Sequence, residues 1–356
     1  MNHPQNLLLK VLCLSLLSIT TVLSCFSQNE KDSIDAILRS QFNFSPLEIA
    51  AVTRGLMITK ELQSDNRAEV AVCGAVYIPV PIDFADASYR NIEALRIDSD
   101  ITAIGRFSVP PELKDLDSLT LEEEDVKALR KCSPGHCTIK MSRSAMKRFR
   151  KEIDWDRWDY QRRVLSLVKD MLIGYTRSYL AGGNDSMGVY DDQTYSLNKA
   201  EEFEKILKES PGLLNDQPGL FSHLESFPRD SLPGSTDIIY WQKEKFEKIK
   251  PVLSLNHVTI YHPGATNSKT IVTTKQIYAN HFFEASLVQI VMMRDTADST
   301  GFYALYLRRS CFDDLRKAKL FDFSKDIHRE IYQRVREEIL WTKERILSLY
   351  AAKIVK

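Results

Sequence analysis

Val252-Leu253-Ser254-Leu255-Asn256-His257-Val258-Thr259-Ile260-Tyr261 is followed by Lys269-Thr270-Ile271-Val272-Thr273-Thr274-Lys275-Gln276-Ile277-Tyr278. Both runs are rich in β-branched, aromatic and apolar residues, the composition of strands, and Pro263-Gly264-Ala265-Thr266-Asn267 between them is turn chemistry. A connection this short joins antiparallel neighbours, because a parallel pair needs a crossover of a dozen or more residues. Similar segments at 237–242, 285–293 and 302–308, with Asp295-Thr296-Ala297-Asp298 between the last two, extend the pattern to an antiparallel meander of five strands.

The remainder of the chain is arranged around that sheet. Upstream, Glu69 to Ile78 reads as a strand ended by Pro79-Val80-Pro81, since proline cannot continue the ladder. Residues 84–95 have helical spacing, with Phe84, Ala87, Ile92 and Leu95 on one face, and a short strand at 102–108 stops at Pro110-Pro111. The middle is helical. Thr120-Leu121-Glu122-Glu123 has the form of a capping box opening a helix to about Lys131. Helices are predicted at 142–153, at 155–180 closed by Gly182-Gly183, and at 199–208 before Pro211-Gly212; a further short one lies between Pro218-Gly219 and Pro233-Gly234. Downstream of the meander, residues 327–352 carry an apolar stripe through Ile331, Val335, Ile339, Ile346 and Leu349. The expected fold class is α+β: a curved antiparallel sheet, a long C-terminal helix and a large helical insertion at about 119–231.

The chain has 356 residues, enough for a sizeable core. Its 48 basic and 48 acidic residues cancel, leaving no global field to favour nucleic acid, so no nucleic-acid partner is expected. The start reads as an export signal: Lys10 supplies positive charge, residues 11–23 form an apolar run too short to span a bilayer comfortably, and Ser24-Cys25 ends it. Val22-Leu23-Ser24-Cys25 resembles the lipobox of bacterial lipoproteins, which implies lipidation of Cys25 and a membrane-tethered protein of the bacterial envelope. Cleavage to a soluble periplasmic form and an uncleaved signal anchor are the alternatives. Residues 1–25 are accordingly read as a leader, 26–46 as a tether with a short helix near 35–39, and 47–353 as one domain.

Beyond Cys13 and Cys25, the cysteines are Cys73, Cys132, Cys137 and Cys311. In Cys132-Ser133-Pro134-Gly135-His136-Cys137 a Pro-Gly turn doubles the chain back, the geometry of a short-loop disulfide in an oxidising compartment. So small a loop contributes about 2 kcal/mol in the chain-entropy picture. A metal site with His136 as third ligand is the rival, but the spacing is not that of a zinc motif. Cys73 and Cys311 read as buried thiols.

The order of elements, one early strand, a helical stretch, an antiparallel meander and a long last helix, is similar to that of the helix-grip, START-like superfamily, as is Val72-Cys73-Gly74-Ala75-Val76-Tyr77-Ile78-Pro79-Val80-Pro81. The resemblance covers roughly residues 67–108 and 235–353. It implies an apolar cavity between sheet and C-terminal helix. Residues 255–261 and 275–283 also look like those of an uncharacterised group of bacterial secreted proteins, which supplies no activity.

The histidines carry the remaining chemistry. His257 shares a strand face with Leu253, Leu255 and Tyr261, and His281 lies between Tyr278 and Glu284 at the start of the next strand. Adjacent strands could gather His257, Tyr278, His281 and Glu284 for acid–base work. The competing reading makes His257 a hydrogen-bonded core residue and His281 a turn residue. His257, His281 and Glu284 lack a local ligand motif, so no metal is expected; no cofactor is expected either, because Gly-x-Ser-x-Gly and phosphate-binding glycine loops are missing. The basic run Lys140, Arg143, Lys147, Arg148, Arg150 and Lys151 reads as a solvated helix face rather than a lipid-binding one, and Trp155, Trp158 and Tyr160 as packing residues.

These observations together lead to an expected function: binding of an apolar or amphipathic small molecule, a lipid among the candidates, with His257, Tyr261, Tyr278, His281, Glu284 and Tyr306 around it. An enzyme built on His257, His281 and Glu284, and a non-catalytic envelope protein whose insertion holds a partner, are the alternatives.

Overall fold

The computed structural model describes residues 34–97, 100–210, 216–246, 249–264, 268–294, 300–317 and 321–354, with the side chains of 321–324 excepted. The leader with Cys25, residues 26–33, the break at Pro211-Gly212, and the turn residues 265–267 and 295–298 lie outside the described residues.

Two helices, α1 (Ile34–Phe42) and α2 (Pro46–Thr53), lead into strands β1 (Ile58–Leu62) and β2 (Glu69–Ile78). Helices α3 (Ile82–Arg90) and α4 (Ile92–Arg96) then carry the chain to β3 (Ile101–Arg106). The insertion contains α5 (Glu123–Lys131), α6 (Arg143–Glu152), α7 (Tyr160–Gly182), a two-stranded ribbon of β4 (Val189–Tyr190) and β5 (Leu197–Asn198), α8 (Lys199–Lys208) and α9 (Pro218–Ser226). The meander follows as β6 (Ser235–Glu244), β7 (Val252–Tyr261), β8 (Lys269–Ala279), β9 (Phe283–Arg294) and β10 (Phe302–Phe312). A short α10 (Asp313–Lys317) precedes the last helix, α11 (Phe321–Ile354). The α+β class, the curved antiparallel sheet, the insertion and the long C-terminal helix are as the sequence pattern indicates.

The main sheet runs β1-β2-β10-β9-β8-β7-β6-β3, so the meander is one unbroken block extended at its two edges by the early strands. Every pairing is antiparallel. Alternation along β2 divides its side chains cleanly: Val70, Val72, Val76 and Ile78 join one core, Cys73 and Ala75 the other. The first core lies under α3, α4 and α11, where Val335, Ile339 and Ile346 supply the helix stripe. The second lies under α1, α2 and the insertion, where Tyr179, Phe203 and Leu224 meet Trp241, Leu255 and Ile271. The insertion also has a small core of its own, in which Val126, Leu129, Phe149 and Val164 surround the Cys132–Cys137 disulfide. His136 beside that bridge is exposed, while Cys73 and Cys311 are buried free thiols.

Five expectations need correction. Trp158 is not a packing residue, being 87% exposed. Residues 34–46 are not a free tether, because Ile37, Leu38 and Phe42 of α1 are buried in the insertion-side core. The Thr120 capping box does not form: α5 starts at Glu123 after an N-cap at Glu122, and the Thr120 hydroxyl instead accepts from Lys243 Nζ at 3.1 Å. Helix α7 starts at Tyr160 rather than 155, its N-cap position occupied by Asp159, which pairs with Arg157, Arg162 and Arg163. Lys140 does not belong to the solvated basic face; it is buried and paired with Asp313 at 3.2 Å.

Close packing of α11 leaves little room above the glycine in β2. A Cβ on Gly74 would fall 2.7 Å from Ile339 Cδ1 and 3.1 Å from Thr59 Cγ2. Gly74→Ala should therefore destabilise the protein by about 1–3 kcal/mol, and Ile339→Val, which removes the clashing methyl, should recover part of that loss. Equal destabilisation in the two backgrounds, measured by denaturant unfolding, would show that α11 does not press on this strand.

The same interface buries charge. Glu338 of α11 meets Arg308 Nη1 at 2.8 Å, Arg96 Nη1 at 3.2 Å and the Tyr306 hydroxyl at 2.8 Å. Burial works to raise the Glu338 pKa, but Arg308 and Arg96 overcome it and hold the group at about 2. A carboxylate depressed on folding stabilises above its unfolded pKa, and that stability is lost as pH falls from about 4.5 towards 2. Acid unfolding of Glu338→Gln should show a flatter limb over this range, with a cost of about 3–5 kcal/mol at neutral pH from the two unpaired guanidinium groups.

Candidate functional site

The structure separates the residues that were expected to converge. His257 and Lys275 are cross-strand partners on β7 and β8, whereas Asn280 N, one residue before His281, bonds to Leu253 O. Four residues along a strand amount to roughly 13 Å, so His281 lies far down the sheet from His257. His281 is buried against α5, with Nδ1 2.9 Å from Thr138 O and Nε2 3.0 Å from Asp125 Oδ2. Glu284 is occupied by Arg316 of α10 at 2.6 Å and the Tyr195 hydroxyl at 3.3 Å. Tyr306 faces α11 on the other side of the sheet, and Tyr261 is half-buried at the end of β7. Tyr278 alone of the six lines a sizeable apolar cavity.

That cavity, about 620 Å3, opens between the insertion and the sheet. Its walls come from the insertion core (Leu129, Ile139, Phe149), from α7 (Met171, Leu172, Tyr175) and from the sheet (Leu253, Tyr278). Ser142, Ser144, Arg148, Asp170 and Ser178 form a polar rim. Between sheet and α11, by contrast, are a charged cleft of about 140 Å3 lined by Arg96, Glu244, Arg334 and Glu338, and an open groove of about 480 Å3 at the β1 edge lined by Glu61, Lys325, His328, Arg329 and Tyr332. The apolar space is thus on the insertion side of the sheet.

A lysine stands in the cavity wall. Lys199 opens α8 behind the N-cap Asn198, whose side chain accepts from Ala200 N at 3.0 Å. Its ammonium donates to the Tyr175 hydroxyl at 3.0 Å and lies over three rings, 4.4 Å from the Tyr175 centroid, 4.7 Å from Tyr190 and 5.5 Å from Tyr278. The tyrosines are held by their own hydroxyls: Tyr190 donates to Ala279 O at 3.1 Å, Tyr278 to Lys140 O at 3.1 Å, and Tyr175 to Ile277 O. Among the described residues no carboxylate pairs with Lys199, and burial lowers its pKa to about 7. The amine is therefore poised between charged and neutral forms near physiological pH.

His257 belongs to a second polar cluster on the same face. Asp237 of β6 is the cross-strand partner of Thr259, which leaves His257 as its diagonal neighbour. Asp237 Oδ1 lies 2.8 Å from His257 Nε2, 3.1 Å from His223 Nε2 and 2.7 Å from the Thr259 hydroxyl. The other nitrogen of each ring is also engaged: His223 Nδ1 faces Asp230 O at 2.8 Å, and His257 Nδ1 faces the Tyr179 hydroxyl at 2.8 Å. Burial works to raise the Asp237 pKa, but hydrogen bonds from His223 and His257 prevail and keep it well below the usual carboxylate range. His257 is shifted down by burial, so it donates from Nε2 to Asp237 and accepts at Nδ1 from Tyr179. For His223 burial works against the charge, yet its bonds to Asp237 and the Asp230 carbonyl raise the pKa.

Lys199, Tyr175, His223 and Asp237 were not singled out by sequence reasoning. Two left a trace: a lysine in the first turn of a helix opposes the dipole, and aspartate is depleted in strands. No protein-family model, curated protein or solved structure matches this chain.

A buried base whose pKa is lowered on folding makes stability rise with pH between the folded and unfolded values, because the unfolded state binds more protons there. For Lys199 that window runs from about 7 to 10.5. Lys199→Met should raise the melting temperature at pH 7 and reduce the gain in stability seen in wild type between pH 7 and 9. A lower melting temperature at pH 7 would mean that the ammonium is well accommodated by its tyrosine cage.

Proposed function

We propose that this chain binds an amphipathic small molecule with an acidic head, its apolar part in the cavity between insertion and sheet and its head on Lys199. The observation that carries this reading is the lysine itself. A cation buried among aromatic rings without a carboxylate is destabilising, and an anionic ligand would restore its charge through a charge-assisted hydrogen bond. An apolar cavity of several hundred Å3 with a few polar groups suits a molecule of lipid or drug size. The START-like reading of the element order supports ligand binding by a curved sheet, here with the cavity on the face opposite α11. The leader and its lipobox-like end support an exported protein tethered at Cys25 in a bacterial envelope; among the described residues no helix is long and apolar enough to cross a membrane.

A naturally fluorescent polyene fatty acid and the matching alcohol test the assignment. Wild type should bind the acid more tightly than the alcohol, and Lys199→Met should weaken the acid by about 10–150-fold, the equivalent of one charged hydrogen bond, with little change for the alcohol. Equal affinities for acid and alcohol in wild type, or an unaltered acid affinity in the variant, would overturn the proposal.

A further inference from the structure

The cluster one turn further along α7, at Tyr179 rather than Tyr175, does not take part in the cavity. We propose that His223, Asp237 and His257 bind one divalent transition-metal ion, zinc foremost, with solvent completing the coordination.

The first ground is convergence. One ligand atom from each of His223, Asp237 and His257 lies within 4.8 Å of the others, the one such group of three among the described residues. Ligand atoms around tetrahedral zinc are about 3.3 Å apart, so the separations of 2.8 and 3.1 Å to Asp237 need to open by only a few tenths of an ångström.

The second ground is the outer layer. A ligating histidine is oriented by a partner on its other nitrogen. His223 has the Asp230 carbonyl there, which fixes the proton on Nδ1 and turns Nε2 towards Asp237. His257 has the Tyr179 hydroxyl, and on metal binding its proton would move from Nε2 to Nδ1, with Tyr179 becoming the acceptor. The rings are fixed by packing as well: Phe227 lies 4.3 Å from the His257 ring and stacks on Tyr179 at 5.5 Å. Gly183, with φ of +57°, allows that approach, since a Cβ there would fall 1.5 Å from Phe227 O.

The third ground is the crowding at one atom. Asp237 Oδ1 faces His223, His257 and Thr259 at once, so both imidazole Nε2 atoms already point at one carboxylate oxygen, a nitrogen and oxygen donor set that suits a divalent transition metal. Both histidines are buried while the Asp237 side chain is 26% exposed, so solvent reaches the cluster at the carboxylate. Two histidines and one carboxylate with solvent in the remaining position is a donor set used by open zinc sites and by non-haem iron(II).

The test uses the purified full chain, stripped with chelator, loaded separately with Zn2+ and, anaerobically, Fe2+, and desalted before metal analysis. One zinc per chain and a rise in melting temperature on zinc addition are expected, with Co2+ giving the intense visible bands of four-coordinate cobalt. His223→Gln and Asp237→Asn should lose stoichiometric zinc. Thr259→Val, which removes a hydroxyl beside Asp237 and His257 but no ligand atom, should keep it, and Tyr179→Phe should weaken it about tenfold. Stoichiometric iron with no zinc would reassign the metal and overturn zinc. No retained metal in folded wild type, or full zinc in the ligand variants, would overturn the site. If a ligand variant fails to fold, wild-type loading and Tyr179→Phe decide, since an unchanged zinc affinity in the latter excludes this cluster.

Discussion

An eight-stranded antiparallel sheet with apolar side chains on both faces is the constraint on which everything else rests. Antiparallel sheets commonly leave one face to water, but β7 is buried along nearly its whole length, which commits the chain to covering two surfaces. The C-terminal helix with α3 and α4 covers one. The insertion, together with α1 and α2, covers the other. The insertion is therefore part of the core rather than an appendage, and the sheet places its side chains in register beneath it.

Charge then fixes how each layer sits. On the C-terminal side, Glu338 joins the helix to Arg308 of β10 and to Arg96 of α4. On the insertion side, Arg309 of β10 bonds to Glu69 of β2 at 2.6 Å and to Glu209 at 3.0 Å, and Arg316 links Glu202 of α8 to Glu284 of β9. Such pairs orient the layers more than they stabilise them, because desolvation offsets much of the attraction. Against this background of matched charge, two buried lysines have no carboxylate partner among the described residues: Lys275, whose ammonium is bonded to the Asn184 side chain and the Leu224 carbonyl, and Lys199, which faces the cavity.

Helix α7 positions both polar centres. Tyr175 and Tyr179 are four residues apart and so point from the same helix face onto the sheet, one to Lys199 and the other to His257. One helix thus holds the wall of an apolar cavity and the outer partner of a histidine cluster at a separation of one turn. A shift of α7 relative to the sheet would disturb the two together.

The strand alternation, the turn residues and the stripe of α11 were legible in the sequence because each depends on neighbours within a few residues. The Cys132–Cys137 pairing was legible for the same reason, being set by a local turn. The two proposed centres were not. His257 was visible as a histidine on an apolar strand, but its partners Asp237, His223 and Tyr179 come from β6, α9 and α7, and only the pairing of β6 with β7 and the docking of the insertion bring them together. His281 and Glu284 were expected to reach it across adjacent strands, yet strand rise carries them to another end of the sheet. Lys199 reads as an ordinary surface lysine until α7, β4 and β8 close three tyrosines around it. Periodicity and turn chemistry therefore determined the elements, whereas the choice of which charges are buried and with whom was made by layer packing, a long-range balance of desolvation and contact that no local pattern encodes.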